Sequence, residues 1–259
     1  MRLALGLEYD GRGYAGWQHQ GHARAVQTVV EEALARVADH PVRITAAGRT
    51  DSGVHATLQV IHFDTEVVRT PRGWLLGTNS NLPPDIALQW VQPVGEGFNA
   101  RRSALARTYR YVIDNRMPRP ALGHGRATWE RRPLDAALMH TAVQPLLGEH
   151  DFSAFRALSC QAKSARRRID EVRVWREGDL VQFEIRANAF LHHMVRNIAG
   201  SLLEIGAGEQ AVGWLDTLLH ERDRQVAGAT ARPDGLYLID VEYPAEFGLP
   251  RGRPPLLSA

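Results

Sequence analysis

Residues 47–56, AGRTDSGVHA, form a polar loop with a glycine near each end, Gly48 and Gly53, set between two apolar runs at 42–47 and 58–65. The runs read as strands, so the loop joins two strands. Asp51 is its only acid, and Arg49 stands two residues before it. A loop aspartate commonly does no more than accept backbone hydrogen bonds. A carboxylate near a guanidinium is also what a nucleophilic site needs, because the cation favours the ionised form.

Outward from this loop, strand and helix patterns mix. Arg2–Tyr9 reads as a strand. Val26–Ala38 has apolar residues at 26, 29, 30, 33, 34 and 37, the spacing of an amphipathic helix. The two prolines of NLPPD (81–85) mark a turn before a strand at Ile86–Val94. Residues 107–115 alternate, with Tyr109, Tyr111 and Ile113 on one face. A helix is expected over 134–147, and a hairpin from 169–176 and 180–188 around Glu177, Gly178 and Asp179. Helices follow at 190–205 and 210–219, then a last strand at 236–243. The expectation is an α+β fold of two similar β-rich units, each an antiparallel or mixed sheet backed by helices. They are expected over residues 1–104 and 105–244, with a ligand cleft between them and an irregular tail at 245–259.

Composition narrows the chemistry. The chain has 259 residues, 44% of them apolar and 23% charged, ordinary for a globular protein. No apolar stretch approaches the roughly 18 residues of a membrane span. Glu8 and Asp10 come too early for a signal peptide. A lone cysteine, Cys160, excludes an internal disulfide and a thiolate-rich zinc site, and a reducing cytoplasm is expected. Of the 31 basic residues only Lys163 is lysine, which speaks against a Walker motif or Schiff-base chemistry.

The net charge is +2, unevenly placed. Residues 98–132 carry +7, residues 156–176 carry +5, and the rest of the chain −10. Two basic blocks on an acidic background suggest a localised polyanion surface. Solvated charge on exposed loops is the plainer account.

Several familiar motifs fail. GRGYAG (11–16) matches G-x-G-x-x-G, but residues 17–21 intervene and helical periodicity starts only near Ala25, so no helix N-terminus meets a pyrophosphate. No H-E-x-x-H and no G-x-S-x-G occur, and adjacent His192 and His193 would diverge on a helix. A zinc site and a dinucleotide site are therefore not expected.

The loop AGRTDSGVHA closely resembles the signature of pseudouridine synthases, specifically the TruA family of tRNA pseudouridine synthases. The resemblance continues through EYDGRGYAGWQHQ, VQTVVEEAL, QVIHFDT, NLPPDIA, FNARRSALARTYRYVIDN, GEHDFSAFRA, AFLHHMVRNIAGSL and DGLYLIDVEYP. It implies isomerisation of uridine to pseudouridine in the tRNA anticodon arm, typically at positions 38, 39 and 40, by a homodimer without metal or cofactor. It also implies roles for residues. Asp51 corresponds to the catalytic aspartate and Arg196 to its basic partner. Tyr109 corresponds to the tyrosine against the target base, Arg49 to the base-flipping arginine, and Leu236 to an apolar wall. Arg69, the segment Phe98, Asn99, Ala100, Arg101 and Arg102, and the segment Ser159, Cys160, Gln161, Ala162 and Lys163 align with tRNA-contact regions.

The residue types suit that chemistry. A carboxylate can start the reaction by adding to C6 of the uracil or by attacking C1′ of the ribose. Extruding a base costs a few kcal/mol, and stacking on an aromatic ring returns about 1–3 kcal/mol. Two other classes are weighed against the enzyme: a non-catalytic RNA-binding protein using the same basic surface, and a nucleotide-dependent oxidoreductase through GRGYAG.

Overall fold

A computed structural model of the chain describes residues 1–21 and 23–255. In chain order the elements are β1 (Arg2–Tyr9), α1 (Val26–Ala38), β2 (Thr45–Ala46), β3 (His55–Asp64), α2 (Pro71–Asn79) and β4 (Ile86–Val94). Then come β5 (Ala106–Asn115), β6 (Thr128–Glu130), α3 (Ala136–Val143), β7 (Gly148–Asp151), β8 (Arg166–Glu177) and β9 (Leu180–Ala187). The chain closes with α4 (Met194–Gly206), α5 (Trp214–Glu221) and β10 (Leu236–Glu242). The fold is α+β, as expected, and the chain forms two compact units. No helix among the described residues is long and apolar enough to cross a membrane.

The first unit comprises Met1–Leu105 and Tyr237–Pro255. Its strands run in the order β4-β1-β3-β10, with β2 on β3. β1 is antiparallel to β3 and β4. Leu3, Leu5 and Leu7 are fully buried, as are Val30 and Leu34 of α1. Trp74 of α2 meets Phe63 edge-on at 5.4 Å. β10 joins this sheet in parallel, Tyr237 opposite His55 and Leu238 opposite Ala56. The sequence reading grouped that strand with the C-terminal half. Parallel partners lie far apart along the chain, so local patterning does not reveal them.

The second unit comprises Ala106–Leu236. Its strands run β5-β9-β8-β7, with β6 parallel to β5. The β8–β9 hairpin turns at Gly178, where φ is +57°. α3 packs on β8 and on α4. Tyr111, Phe183, Phe152 and Phe155 are fully buried.

Several local readings change. The strand expected over 42–47 shrinks to Thr45–Ala46. α2 went unread because Gly73 and Gly77 dilute its apolar spacing, although Thr70 caps it and Pro71 opens it. The helix expected over 134–147 gives way after Val143 to a 3-10 turn containing Pro145. The helix expected from 190 begins at Met194, so His192 and His193 precede it, and His193 adopts φ +62°. The helix expected from 210 begins at Trp214. Of the tail, Arg251 pairs with Asp240, and residues 256–259 lie outside the described residues.

Candidate active site

Asp51 is half-buried at the head of the loop leading into β3, while Arg49 is exposed. Two backbone groups beside Asp51 have partners from the GRGYAGW segment. Trp17 N–H donates to Thr50 O at 3.0 Å, and Gly53 N–H to Tyr14 O at 3.3 Å. The Ser52 hydroxyl donates to the same Tyr14 oxygen at 3.2 Å. Gly53 itself stands at φ +78°.

The glycines rejected as a dinucleotide fingerprint acquire a reason here. Gly16 has φ +95°, and a Cβ there would stand 2.8 Å from Thr50 O. A Cβ on Gly11 would overlap the Val54 carbonyl. Both glycines let one backbone lie against another, and the other is the Asp51 loop. Tyr14, whose carbonyl serves the loop, is tied down in turn. Its hydroxyl donates to Asp85 at 2.7 Å, and Arg24 lies 4.8 Å over its ring.

In the second unit, Tyr109 sits on β5 opposite Ile185, with Phe190 edge-on to its ring at 5.0 Å. It is 8% exposed, whereas Tyr111 has no exposed surface. Tyr111 bonds Thr128 at 2.7 Å and Arg232 O at 2.8 Å, and burial raises its phenol well above the usual range. Tyr111 is therefore core. Leu236 is buried at the start of β10.

Arg196 lies in the first turn of α4, half-buried. Its Nε donates to Ala231 O at 2.8 Å, and its carbonyl accepts from Ala231 N–H at 3.0 Å. The next residue, Asn197, is fully buried and bridges Phe155 O, Arg224 and Thr230. A Cβ on Gly200 would overlap Ala229 O, so the 224–231 segment lies directly on α4. Sequence spacing did not single out Asn197 or this segment.

A family model described as tRNA pseudouridine synthase matches residues 7–101 and 142–244. The chain belongs to the tRNA pseudouridine synthase family. It is 57% identical over 251 residues to the tRNA pseudouridine synthase A of Aeromonas hydrophila, covering 97% of this chain and 93% of that protein. The protein of the same name from Xanthomonas campestris is 55% identical over 252 residues, with 96% and 98% covered. That from Nitrosococcus oceani is 55% identical over 251 residues, with 97% of each covered.

Within this synthase chain, the RNA-contact segments expected from sequence divide into surface and scaffold. Phe98 and Ala100 have no exposed surface, so their side chains are closed to RNA. Phe98 packs against His62, Tyr243 and Phe247. Asn99 uses its Oδ1 to accept from the N–H groups of Arg101 and Arg102, an Asx turn that presents both arginines. Arg101 and Arg102 are exposed. Ser159, Gln161 and Lys163 are likewise exposed, while Cys160 and Ala162 are half-buried and offer their carbonyls to Arg156 at 2.6 and 2.9 Å. Burial raises the Cys160 thiol's pKa. Backbone N–H groups of Ala162 and His192 and the Arg156 charge outweigh that, leaving it below the usual thiol range. Arg69 is exposed and donates its Nε to Val37 O at 2.9 Å.

Part of the basic charge is spent internally. Arg110 pairs with Glu184, Arg116 with Asp114, and Arg132 with Glu130 and Glu209. In the second block, Arg168 pairs with Asp170 and Arg173 with Glu184. The charge count therefore overstates the surface offered to a polyanion.

Proposed function

We propose that this chain isomerises uridine to pseudouridine in the anticodon arm of tRNA, at positions 38, 39 and 40, with Asp51 as nucleophile. Family membership supports the reaction class. The observation that carries the assignment of Asp51 is the half-buried carboxylate on a loop whose backbone is held by a second segment built for close approach. A nucleophile needs such restraint, because a fixed near-attack geometry removes much of the entropic barrier.

In this reading the N1–C1′ bond breaks, the uracil rotates, and C5 bonds to C1′. The C5 proton leaves and N1 takes one up, so the base keeps its composition. Asp51 acts at C6 or at C1′, and both routes require it anionic beside the uracil. Arg196 is the basic residue of the reaction, as the family resemblance implies. Tyr109 stacks on the extruded base, and Leu236 supplies apolar wall. Arg49 fills the vacated stack, where a planar guanidinium suits better than an ammonium. Arg69, Arg101, Arg102 and Lys163 contact phosphates, with Ser159 and Gln161 beside them, which positions the tRNA without reading its bases. The protein acts as a homodimer in the cytoplasm, without metal or cofactor. Light scattering at assay concentration reads the dimer, and a monomer there removes that part.

Pseudouridine mapping on bulk tRNA tests the central claim. Wild-type protein converts anticodon-arm uridines. Asp51→Asn gives none while tRNA binding persists. Full activity in Asp51→Asn removes the nucleophile assignment. No conversion by the wild-type protein leaves the RNA-binding alternative.

A further inference from the structure

The Asp51 loop has a second set of restraints that the reading above leaves without a purpose. Gln59 of β3 is fully buried. Its amide donates to Gly48 O at 2.7 Å and accepts from Gly48 N–H at 3.4 Å, so one side chain takes both backbone groups of Gly48. Tyr9 of β1 is 4% exposed and Thr50 is 6% exposed, and their hydroxyls meet at 2.8 Å. Buried polar side chains thus hold the loop at two points, Gln59 at Gly48 and Tyr9 at Thr50, the residue before Asp51.

The register of the sheet points the same way. β1 and β3 pair regularly from Arg2↔Asp64 to Leu7↔Gln59, then slip, so that Tyr9 faces Ala56. Such irregularities bend a strand and re-aim a side chain, and they gather beside active sites. A core built only for stability would fill this place with apolar groups. Buried polar groups contribute little net stability, and they are costly when left unpaired.

We propose that Tyr9, Thr50 and Gln59 are positioning residues: their buried hydrogen bonds set the direction of the Asp51 carboxylate by holding the loop at Gly48 and Thr50. The proposal rests on Asp51 being the nucleophile. It makes the Tyr9 phenol a neutral strut, and burial keeps its proton on by raising it far above the usual range.

The test uses Tyr9→Phe and Thr50→Val, which keep shape and remove a hydroxyl, in the full-length protein with folding checked by circular dichroism. Each lowers kcat for pseudouridine formation about 10-fold or more, since a displacement near 1 Å can cost on the order of 100-fold. KM and Kd for tRNA stay at wild-type values. The double variant is no slower than Thr50→Val alone, because both break one bond. Thr50→Ser, which keeps the hydroxyl, recovers most of the loss. Wild-type kcat in both single variants overturns the proposal. So does a rise in KM at constant kcat, or losses that only follow the folded fraction. Asp51→Asn, run alongside, separates the two readings. An active Asp51→Asn removes the nucleophile assignment, whereas an inactive one with undiminished Tyr9→Phe and Thr50→Val overturns only this proposal.

Discussion

Gly16 couples backbone geometry to chemistry at a single residue. Its φ of +95° strains any residue with a Cβ, and that Cβ would press on Thr50 O, which belongs to the same peptide group as the Asp51 nitrogen. Gly16→Ala is expected to destabilise the protein by about 1–3 kcal/mol, the usual range for a strained backbone position. It should also lower kcat in the molecules that remain folded, because the loop must shift to admit the methyl group. Urea denaturation reads the first effect and single-turnover assays the second. An alanine variant with wild-type stability and kcat would mean the close approach is incidental. Asn99 gives the converse lesson. Its side chain looked available for RNA, yet it is occupied in turning the chain so that Arg101 and Arg102 face outward.

Among the elements, β3 follows the proposed Asp51 site at one end and carries a pH-sensitive contact near the other. His62 is 6% exposed, and its Nδ1 accepts from Ala100 N–H at 3.1 Å, which requires the ring to lack a proton there. Burial, and then the nearby Arg2, lower its pKa below 6.5. Below that value the unfolded chain binds the proton more readily than the native one. Stability is therefore complete above about pH 6.5 and falls as the pH drops toward the lower native value. His62→Asn, which retains an acceptor near Ala100, is expected to flatten that part of the pH–stability curve. Chemical denaturation at several pH values between about 5 and 7 measures it. An unchanged slope would assign the acid sensitivity to other groups. The contact also bears on the proposed tRNA contact, because His62 and Tyr243 hold Ala100 from two sides and so support the turn that carries Arg101 and Arg102.

For the molecule as a whole, the question is how much of its arginine-rich surface serves RNA. Several arginines in the two basic blocks are committed to acidic partners, which moves the expectation from whole blocks to particular exposed turns. Replacing Arg101 and Arg102 together with alanine should weaken tRNA binding, and the slope of log K against log salt should fall by about 2. Single-turnover kcat at saturating protein should stay near wild type. Filter binding across a salt series reads this. An unchanged slope would mean that these arginines do not face phosphate. The exposed Lys163 then becomes the next residue to replace.

The sequence alone determined what depends on near neighbours. β1, α1 and β4 fell where alternation or helical spacing placed them, and the β8–β9 turn fell at Gly178, because those patterns repeat within a few residues. The α+β class followed from the same patterns, and the family resemblance followed from several words in a constant order. Only the tertiary structure decided which distant pieces meet. It placed β10 beside β3, made Gly11 and Gly16 a bed for the Asp51 loop, and turned Tyr111, Phe98 and Ala100 into core. It also joined Tyr9 to Thr50, and Gln59 to Gly48, through buried hydroxyl and amide groups. Spacing along a chain encodes the local conformations that each residue's sterics allow. Close packing between remote segments depends on side chains and carbonyls that meet only after the chain has folded.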